Sequence, residues 1–332
     1  MMKWLLKHKF VGILLLLIYA SLTILFTYRL DDYTLTLKGD LTPVQTQITD
    51  TNDHHFYTIY VVSMDKPTIF QYWIGTLIDS IDVSRMPQAY QGISAMDQFK
   101  IGQIAEEISY QYATIQAYTK ASMVDPNIQI DYTMTGYMVS FVESGQKGIR
   151  LGDLLVEVEG HAYTDLPQNE FFGYFSNQNT VDVVVIREGE RLSLTLNKLT
   201  SIDRYGIRLE PYFTIETTPN IDTAYGNDFI GGPSGGMIQT LDIYMKLLNI
   251  DLKTLKIAGT GTIELDGTIG EIGGIEQKVY TAYDHDVDIF LCAAANYDAA
   301  LVVYEKLNNP GFTLIKVGDI DEAIQHILTR LS

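Results

Sequence analysis

An unbroken uncharged run from Phe10 to Thr27 constrains this chain before anything else does. As a helix, such a run is just long enough to cross the hydrocarbon core of a bilayer. Lys3, Lys7 and Lys9 precede it, and Arg29, Asp31 and Asp32 return the chain to water. Lysines before the span and carboxylates after it predict a cytoplasmic N-terminus and a bulk that faces outward. A cleaved signal peptide is the alternative. The nearest small-residue site, Ala20-Ser21-Leu22-Thr23, sits inside the run, which favours an uncleaved anchor.

Beyond residue 28 the chain holds 20 basic and 41 acidic side chains, a net charge of −21. That surface repels nucleic acid and anionic headgroups, so DNA or RNA binding is excluded. The single cysteine, Cys292, lies in the apolar stretch Ile289–Ala293 and is expected to be buried. No internal disulfide is then available, and the fold must stand on its cores.

Tyr33–Lys38 and Phe56–Ser63 have strand-like content around the polar turn Asp50–His55. Residues 66–80 look helical after Lys66-Pro67. Met96–Ala121 repeats Ile101, Ile104, Ile108 and Ala113 at helical spacing. No chemistry is legible in this membrane-proximal stretch. From about residue 126 short strands and turns take over: Tyr137–Val142, Leu154–Val158, Val181–Ile186 and Leu192–Leu196. The last third alternates, with strands at Phe213–Thr217, Lys256–Thr262, Val287–Cys292 and Thr313–Val317. Helices are expected at Ser234–Leu248, Ile275–Tyr283, Tyr297–Leu307 and Ile320–Leu331. That rhythm predicts helices layered over a sheet.

Leu151-Gly152-Asp153-Leu154-Leu155-Val156-Glu157-Val158-Glu159-Gly160, with the later Val-Val-Val-Ile-Arg-Glu-Gly-Glu-Arg, resembles the strand-and-turn signature of a PDZ domain. The resemblance covers residues 126–198 approximately. It implies a module that adds an extended peptide to a sheet edge, near Thr135-Gly136-Tyr137-Met138. No glycine-hydrophobe-glycine-hydrophobe run stands there to capture a terminal carboxylate. A small β-domain that only packs on its neighbour is the other reading.

Two glycine-rich stretches carry the chemistry. Gly231-Gly232-Pro233-Ser234-Gly235-Gly236 puts a serine hydroxyl at a helix start, where backbone N–H groups without helical partners can hold an oxyanion. Gly273-Gly274 opens a second helix on which Lys278 borders the apolar stripe Ile275, Val279 and Ala282. Burial disfavours an ammonium and lowers its pKa, so a neutral Lys278 amine can take a proton from Ser234. Read singly, the serine is a common turn residue and the lysine a solvated one; the pair suggests a Ser/Lys peptidase.

Residues 200–332 resemble the proteolytic domain of Lon-type serine peptidases. The motifs are Gly-Pro-Ser-Gly-Gly, Thr260-Gly261-Thr262-Ile263, Gly267-Thr268-Ile269, Ile272-Gly273-Gly274-Ile275-Glu276-Gln277-Lys278, and Asn296. With the anchor and the PDZ-like stretch, the chain resembles the membrane-anchored PDZ–Lon peptidases of Gram-positive bacteria. The resemblance implies Ser234 as nucleophile, Lys278 as general base and Thr260 as the hydroxyl that helps orient the lysine. Three positions depart from the family. Gly235 replaces a usual alanine, which should loosen the helix start; Thr262 replaces the glutamate of cytoplasmic Lon; Ala293 replaces a usual proline.

Cytoplasmic Lon carries an ATPase, but this chain contains no Gly-Lys dipeptide and hence no P-loop. No cofactor and no ATP are expected, and cleavage is then limited to flexible, accessible segments. A trypsin-like or HtrA-like enzyme would need a histidine base. His8, His54, His55, His161, His285 and His326 fall in unsuitable places, and a PDZ domain follows the protease in HtrA rather than preceding it. Asp53 with His54-His55, and Asp284-His285-Asp286, lack the spacing of a metal site.

The expected organisation is a cytoplasmic tip and transmembrane anchor (1–30), a membrane-proximal α+β region (31–125), a small mainly-β PDZ-like domain (126–198) and an α/β (α+β) Lon-type proteolytic domain (199–332). The expected function is an outward-facing, ATP-independent serine endopeptidase of the cell membrane. Its partners would be peptides or membrane-protein segments at the outer face, and the lipid bilayer around its N-terminal helix. The alternative is a catalytically inactive peptide-binding or scaffold protein. Oligomeric state is not legible.

Overall fold

The computed structural model describes residues 9–44, 46–47, 54–223, 231–308 and 310–331. Lys3, Lys7, His8 and Asp53, and residues 227–230 ahead of the serine, lie outside the described residues.

In chain order the elements are α1 (Lys9–Thr27), β1 (Tyr33–Pro43), β2 (Thr46–Gln47), β3 (Phe56–Asp65), α2 (Ile69–Gly75), β4 (Asp82–Arg85), α3 (Ala95–Ser122) and β5 (Gln129–Val142). There follow β6 (Leu154–Val158), β7 (His161–Ala162), α4 (Gln168–Asn177), β8 (Thr180–Arg187), β9 (Glu190–Asn197), β10 (Ile207–Thr218) and β11 (Asp222–Thr223). The last part holds α5 (Gly236–Leu247), β12 (Ile257–Thr260), α6 (Ile275–Asp284), β13 (Ile289–Ala293), α7 (Tyr297–Lys306), β14 (Thr313–Val317) and α8 (Ile320–Leu331). Within α1, Phe10–Thr27 is long and apolar enough to cross a membrane, as an anchor or a signal sequence would be.

The first sheet has the order β14-β13-β12-β3-β1-β4. Strands β3, β12, β13 and β14 run parallel, while β1 runs antiparallel to both of its neighbours, β3 and the edge strand β4. The run Ile-Phe-Leu-Cys-Ala of β13 shows why no polar alternation is needed in the middle of such a sheet. Ile289, Leu291 and Ala293 face a core shared with α3 and α5, whereas Phe290 and Cys292 face a second core shared with α6 and α7. Both faces are covered, so every position is apolar. Cys292 is buried, as expected from the sequence.

The strands of 33–65 therefore do not form a separate membrane-proximal unit. They complete the sheet whose other strands come after residue 256, and α3 packs with α5 in the same core. Helix α3 is also less one-sided than its isoleucine spacing suggests, because Ser109–Tyr118 are all buried. Its polar side chains there have partners: Gln111 exchanges hydrogen bonds of 3.0 Å with the backbone of Phe213, and Gln116 Nε2 donates to Leu265 O.

The second sheet is antiparallel, in the order β10-β5-β6-β8-β9 with β7 beside β6. Its core joins Tyr137, Val139, Leu155, Val158 and Val183 to Phe171 of α4. Strand β10 was expected in the α/β layer; instead it pairs with β5 from Ile207↔Val142 to Thr218↔Gln129. The second sheet thus lies in the chain between β3 and β12, two neighbours of the first. Between residues 66 and 80 only α2 is helical. Thr68 starts it with a capping box to Gln71, and it ends at Gly75.

Candidate active site

Ser234 sits in a single 3-10 turn, Pro233–Gly235, that runs into α5. The turn is held from four sides. Gly232 adopts φ 116°, a conformation that favours glycine, and its N–H donates to Gly102 O of α3 at 2.8 Å. A Cβ on Gly231 would stand 2.7 Å from the carbonyl carbon of Gly102, so the backbones touch there. Ser109 Oγ donates to Pro233 O at 3.2 Å. Past the end of β12, Gly261 N–H donates to Ser234 O at 2.9 Å, and Thr260 Oγ1 lies 3.1 Å from the same oxygen.

Lys278 arrives from the first turn of α6. Gly274 caps that helix at φ +70°, and Lys278 N–H donates to Gly274 O at 3.1 Å. The approach is fixed by Asn296, whose Oδ1 accepts from Ile272 N–H and whose Nδ2 donates to Ile272 O, each at 2.9 Å. Lys278 is only 2% exposed. Its Nζ lies 2.8 Å from Ser234 Oγ and 3.0 Å from Thr260 Oγ1. Burial alone pushes its pKa down to about 7, from an ordinary lysine value of 10.5. An amine with that pKa is substantially neutral near physiological pH and can accept the serine proton.

The three residues singled out from sequence, Ser234, Lys278 and Thr260, are therefore brought together. Among the described residues, the histidines are elsewhere. His55 Nδ1 lies 2.9 Å from Leu255 O, His161 stacks on Tyr174, His285 pairs with Asp40 at 2.8 Å, and His54 and His326 are exposed. Asp284 pairs with Lys38 at 2.5 Å, so the Asp284–Asp286 loop is tied to β1.

Sequence reasoning missed the contribution of the first 125 residues. Gly102 and Ser109 floor the nucleophile turn, and Thr58 of β3 lies against Gly235. One signal was available: a glycine inside a strongly periodic helix is costly and marks a close backbone approach. At Gly235, expected to loosen the helix start, the structure adds a packing reason for glycine. A Cβ there would meet Thr58 Cγ2 at 2.8 Å, so the space that alanine would use is already filled.

One cavity lies beside the turn and a second lies on the second sheet. The first, of about 140 Å³, opens beside Pro233, between Ile101 and Ile108 of α3, Ile263, and the β10 residues Arg208 and Glu210. Burial raises the Glu210 pKa, Arg208 works against that rise, and Glu264 adds to it. A larger groove of about 710 Å³ runs between Phe172 and Phe175 of α4, Phe141 of β5, and the stretch Tyr205–Leu209. The β5 edge expected to receive a peptide near Thr135–Met138 is not free, because β10 is paired along it.

Among solved structures, the chain is similar to the PDZ domain of the SdrC-like protein from Listeria monocytogenes. The match has 21% identity and covers 23% of this chain and 90% of that one, with a TM-score of 0.20, too slight to bear on the reading. The family match is of a different kind. The family model of the Lon protease (S16) C-terminal proteolytic domain matches residues 200–330. Over residues 200–330 the chain is thus similar to the Lon-type (S16) proteolytic domain, a likeness that supports a serine-type peptidase.

Proposed function

We propose that this protein is a membrane-anchored, ATP-independent serine endopeptidase in which Ser234 is the nucleophile, Lys278 the general base and Thr260 the group that orients the lysine. The carrying observation is the 2.8 Å approach of a buried lysine amine to a serine hydroxyl at a helix start. Neutral Lys278 removes the Ser234 proton as Oγ attacks the scissile carbonyl. The resulting ammonium, still facing the thin shell of Thr260 and Ser234 oxygens, returns the proton to the leaving amine. N–H groups at the start of α5 face developing negative charge on the carbonyl oxygen. Water then cleaves the acyl-enzyme through the same amine.

The substrates are extracytoplasmic peptides or membrane-protein segments, with α1 as the anchor and the cytoplasmic side at its N-terminus. The 710 Å³ groove of the second sheet acts as selector. It shares Arg208 of β10 with the cavity beside Pro233, and that shared residue links the groove to the cavity at the nucleophile turn. Tethering raises the local concentration of substrates held at the same surface.

The test compares cells expressing the native chain with cells expressing equal amounts of Ser234→Ala, by mass spectrometry of new termini at the surface and in the medium. Products found only with the native chain support the peptidase and identify its substrate. Identical profiles, with both proteins folded and inserted, favour an inactive binding protein.

A further inference from the structure

Helix α2 and the turn after it form an apolar ledge at the edge of the first sheet. Phe70, Trp73 and Leu77 fall at helical spacing, with Ile78 beside them. Trp73 is 55% exposed, Leu77 63% and Ile78 43%. The opposite side of the helix is committed to the protein. Tyr72 packs edge-on against Tyr33 at 4.9 Å, and a Cβ on Gly75 would meet Val83 Cγ2 at 2.9 Å and Leu35 Cδ2 at 3.1 Å. The helix cannot roll to hide its apolar side.

The ledge is continuous with α1. Phe26, in the last turn of α1, has its ring centroid 4.6 Å from that of Phe70, which in turn lies 6.4 Å from Trp73. Ile69 N–H donates to Tyr28 O at 3.2 Å, Leu30 N–H donates to Pro67 O at 2.8 Å, and Arg29 Nη1 donates to Lys66 O at 3.2 Å. The apolar run is thus joined to the sheet by a hydrogen-bonded junction, and cleavage behind Thr27 would uncover Phe70. Composition agrees: Lys66–Ile78 contains one lysine and no acid, in a chain that is otherwise strongly acidic.

We propose that this ledge is a membrane foot, with Phe70, Trp73, Leu77 and Ile78 seated at the headgroup–acyl boundary of the bilayer that α1 crosses. The inference rests on the anchor reading. Aromatic rings favour that boundary, and a short apolar face with no charged residue between Lys66 and Asp79 suits it. The foot turns a tether into a fixed mount. It holds β1, β3 and β12, and with them Thr260 and the serine turn, at one height and one tilt above the lipid.

The chain has two tryptophans, Trp4 and Trp73, so Trp4→Phe leaves Trp73 as the sole reporter. The full chain with that change would be reconstituted in phosphatidylcholine vesicles carrying quenchers at the headgroup or deep in the acyl chain. Quenching of Trp73 mainly by the shallow label, with shielding from aqueous iodide, is expected. Adding Leu77→Glu and Ile78→Glu should reduce that lipid quenching several-fold while cleavage of a soluble peptide is unchanged. Trp73 open to iodide and untouched by either lipid label would overturn the foot. Shielding from iodide without lipid quenching also overturns it, since a second copy would then cover the ledge. N-terminal sequencing separates the two claims: a chain that begins beyond Thr27 and leaves the vesicle overturns anchor and foot together, whereas an intact, vesicle-bound chain with open Trp73 overturns the foot alone.

Discussion

The γ-methyl of Thr58 lies 2.8 Å from the place where a Cβ on Gly235 would stand. A strand near the start of the chain thereby dictates which residue can follow the serine. Gly235→Ala should cost about 1–3 kcal/mol through overpacking and displace the serine turn. Thr58→Ser removes the methyl, and the double variant should recover most of the loss, a favourable coupling that a denaturant-unfolding double-mutant cycle measures. A Gly235→Ala chain as stable as the parent would refute the packing argument.

The lysine makes activity and stability respond to pH in the same direction. With a folded-state pKa near 7, log kcat/KM should rise with pH through about 7 and then level. In the unfolded chain the same lysine titrates near 10.5, so between those values the unfolded state binds more protons. Stability should therefore rise from about pH 7 towards 10.5, at up to roughly 1.4 kcal/mol per unit from this group. Lys278→Met should abolish cleavage, by a thousandfold or more as an order of magnitude, and remove this slope from thermal melts taken across the range.

Asn296 never touches Ser234, yet it holds the loop that aims α6. Asn296→Ala leaves both backbone groups of Ile272 without their side-chain partners, a loss of about 1–3 kcal/mol. The expected kinetic signature is a fall in kcat with KM nearly constant and a shifted acid limb in the pH profile. A purely structural role would lower the melting temperature and leave the limb where it was.

Gly231 and Gly102 face each other but are not equivalent. A Cβ on Gly231 would strike backbone at 2.7 Å, whereas a Cβ on Gly102 would make ordinary contact with Gly231 at 3.5 Å. Gly231→Ala should displace the serine turn and lower kcat/KM sharply. Gly102→Ala should leave activity close to the parent value and gain up to about 1 kcal/mol from helix propensity. Equal damage from the two changes would mean that the contact does not position the turn.

Much of the fold could be read from local pattern. The β13 run and the α8 stripe announce themselves because burial there follows period alone, and Thr313–Val317 and Ile320–Leu331 have the expected bounds. The meeting of Ser234 and Lys278 was also legible, since glycine pairs mark where backbone must come close, whereas Thr260 was implied only by the resemblance to Lon-type domains. What the pattern hid was long-range pairing. Nothing in Phe56–Asp65 says that its neighbour is Ile257–Thr260, because strand partners are chosen by the packing of the whole sheet. Helix α4 was missed because Phe171, Phe172 and Phe175 sit in a short segment rich in polar residues with no capping side chain at Pro167. The short β4 offers too few residues for any period to show.

The pairing of β3 with β12 also imposes an order in time. Phe56 meets Ile257 only after the whole second sheet has been made, so a growing chain carries an unfinished β3 edge for most of its synthesis. Closing so long a loop is slow, and Thr260 and Lys278 lie beyond the strand that closes it. A chain interrupted before that point has a serine turn with no base, so the hydrolytic chemistry proposed for this protein switches on only when the molecule is nearly complete.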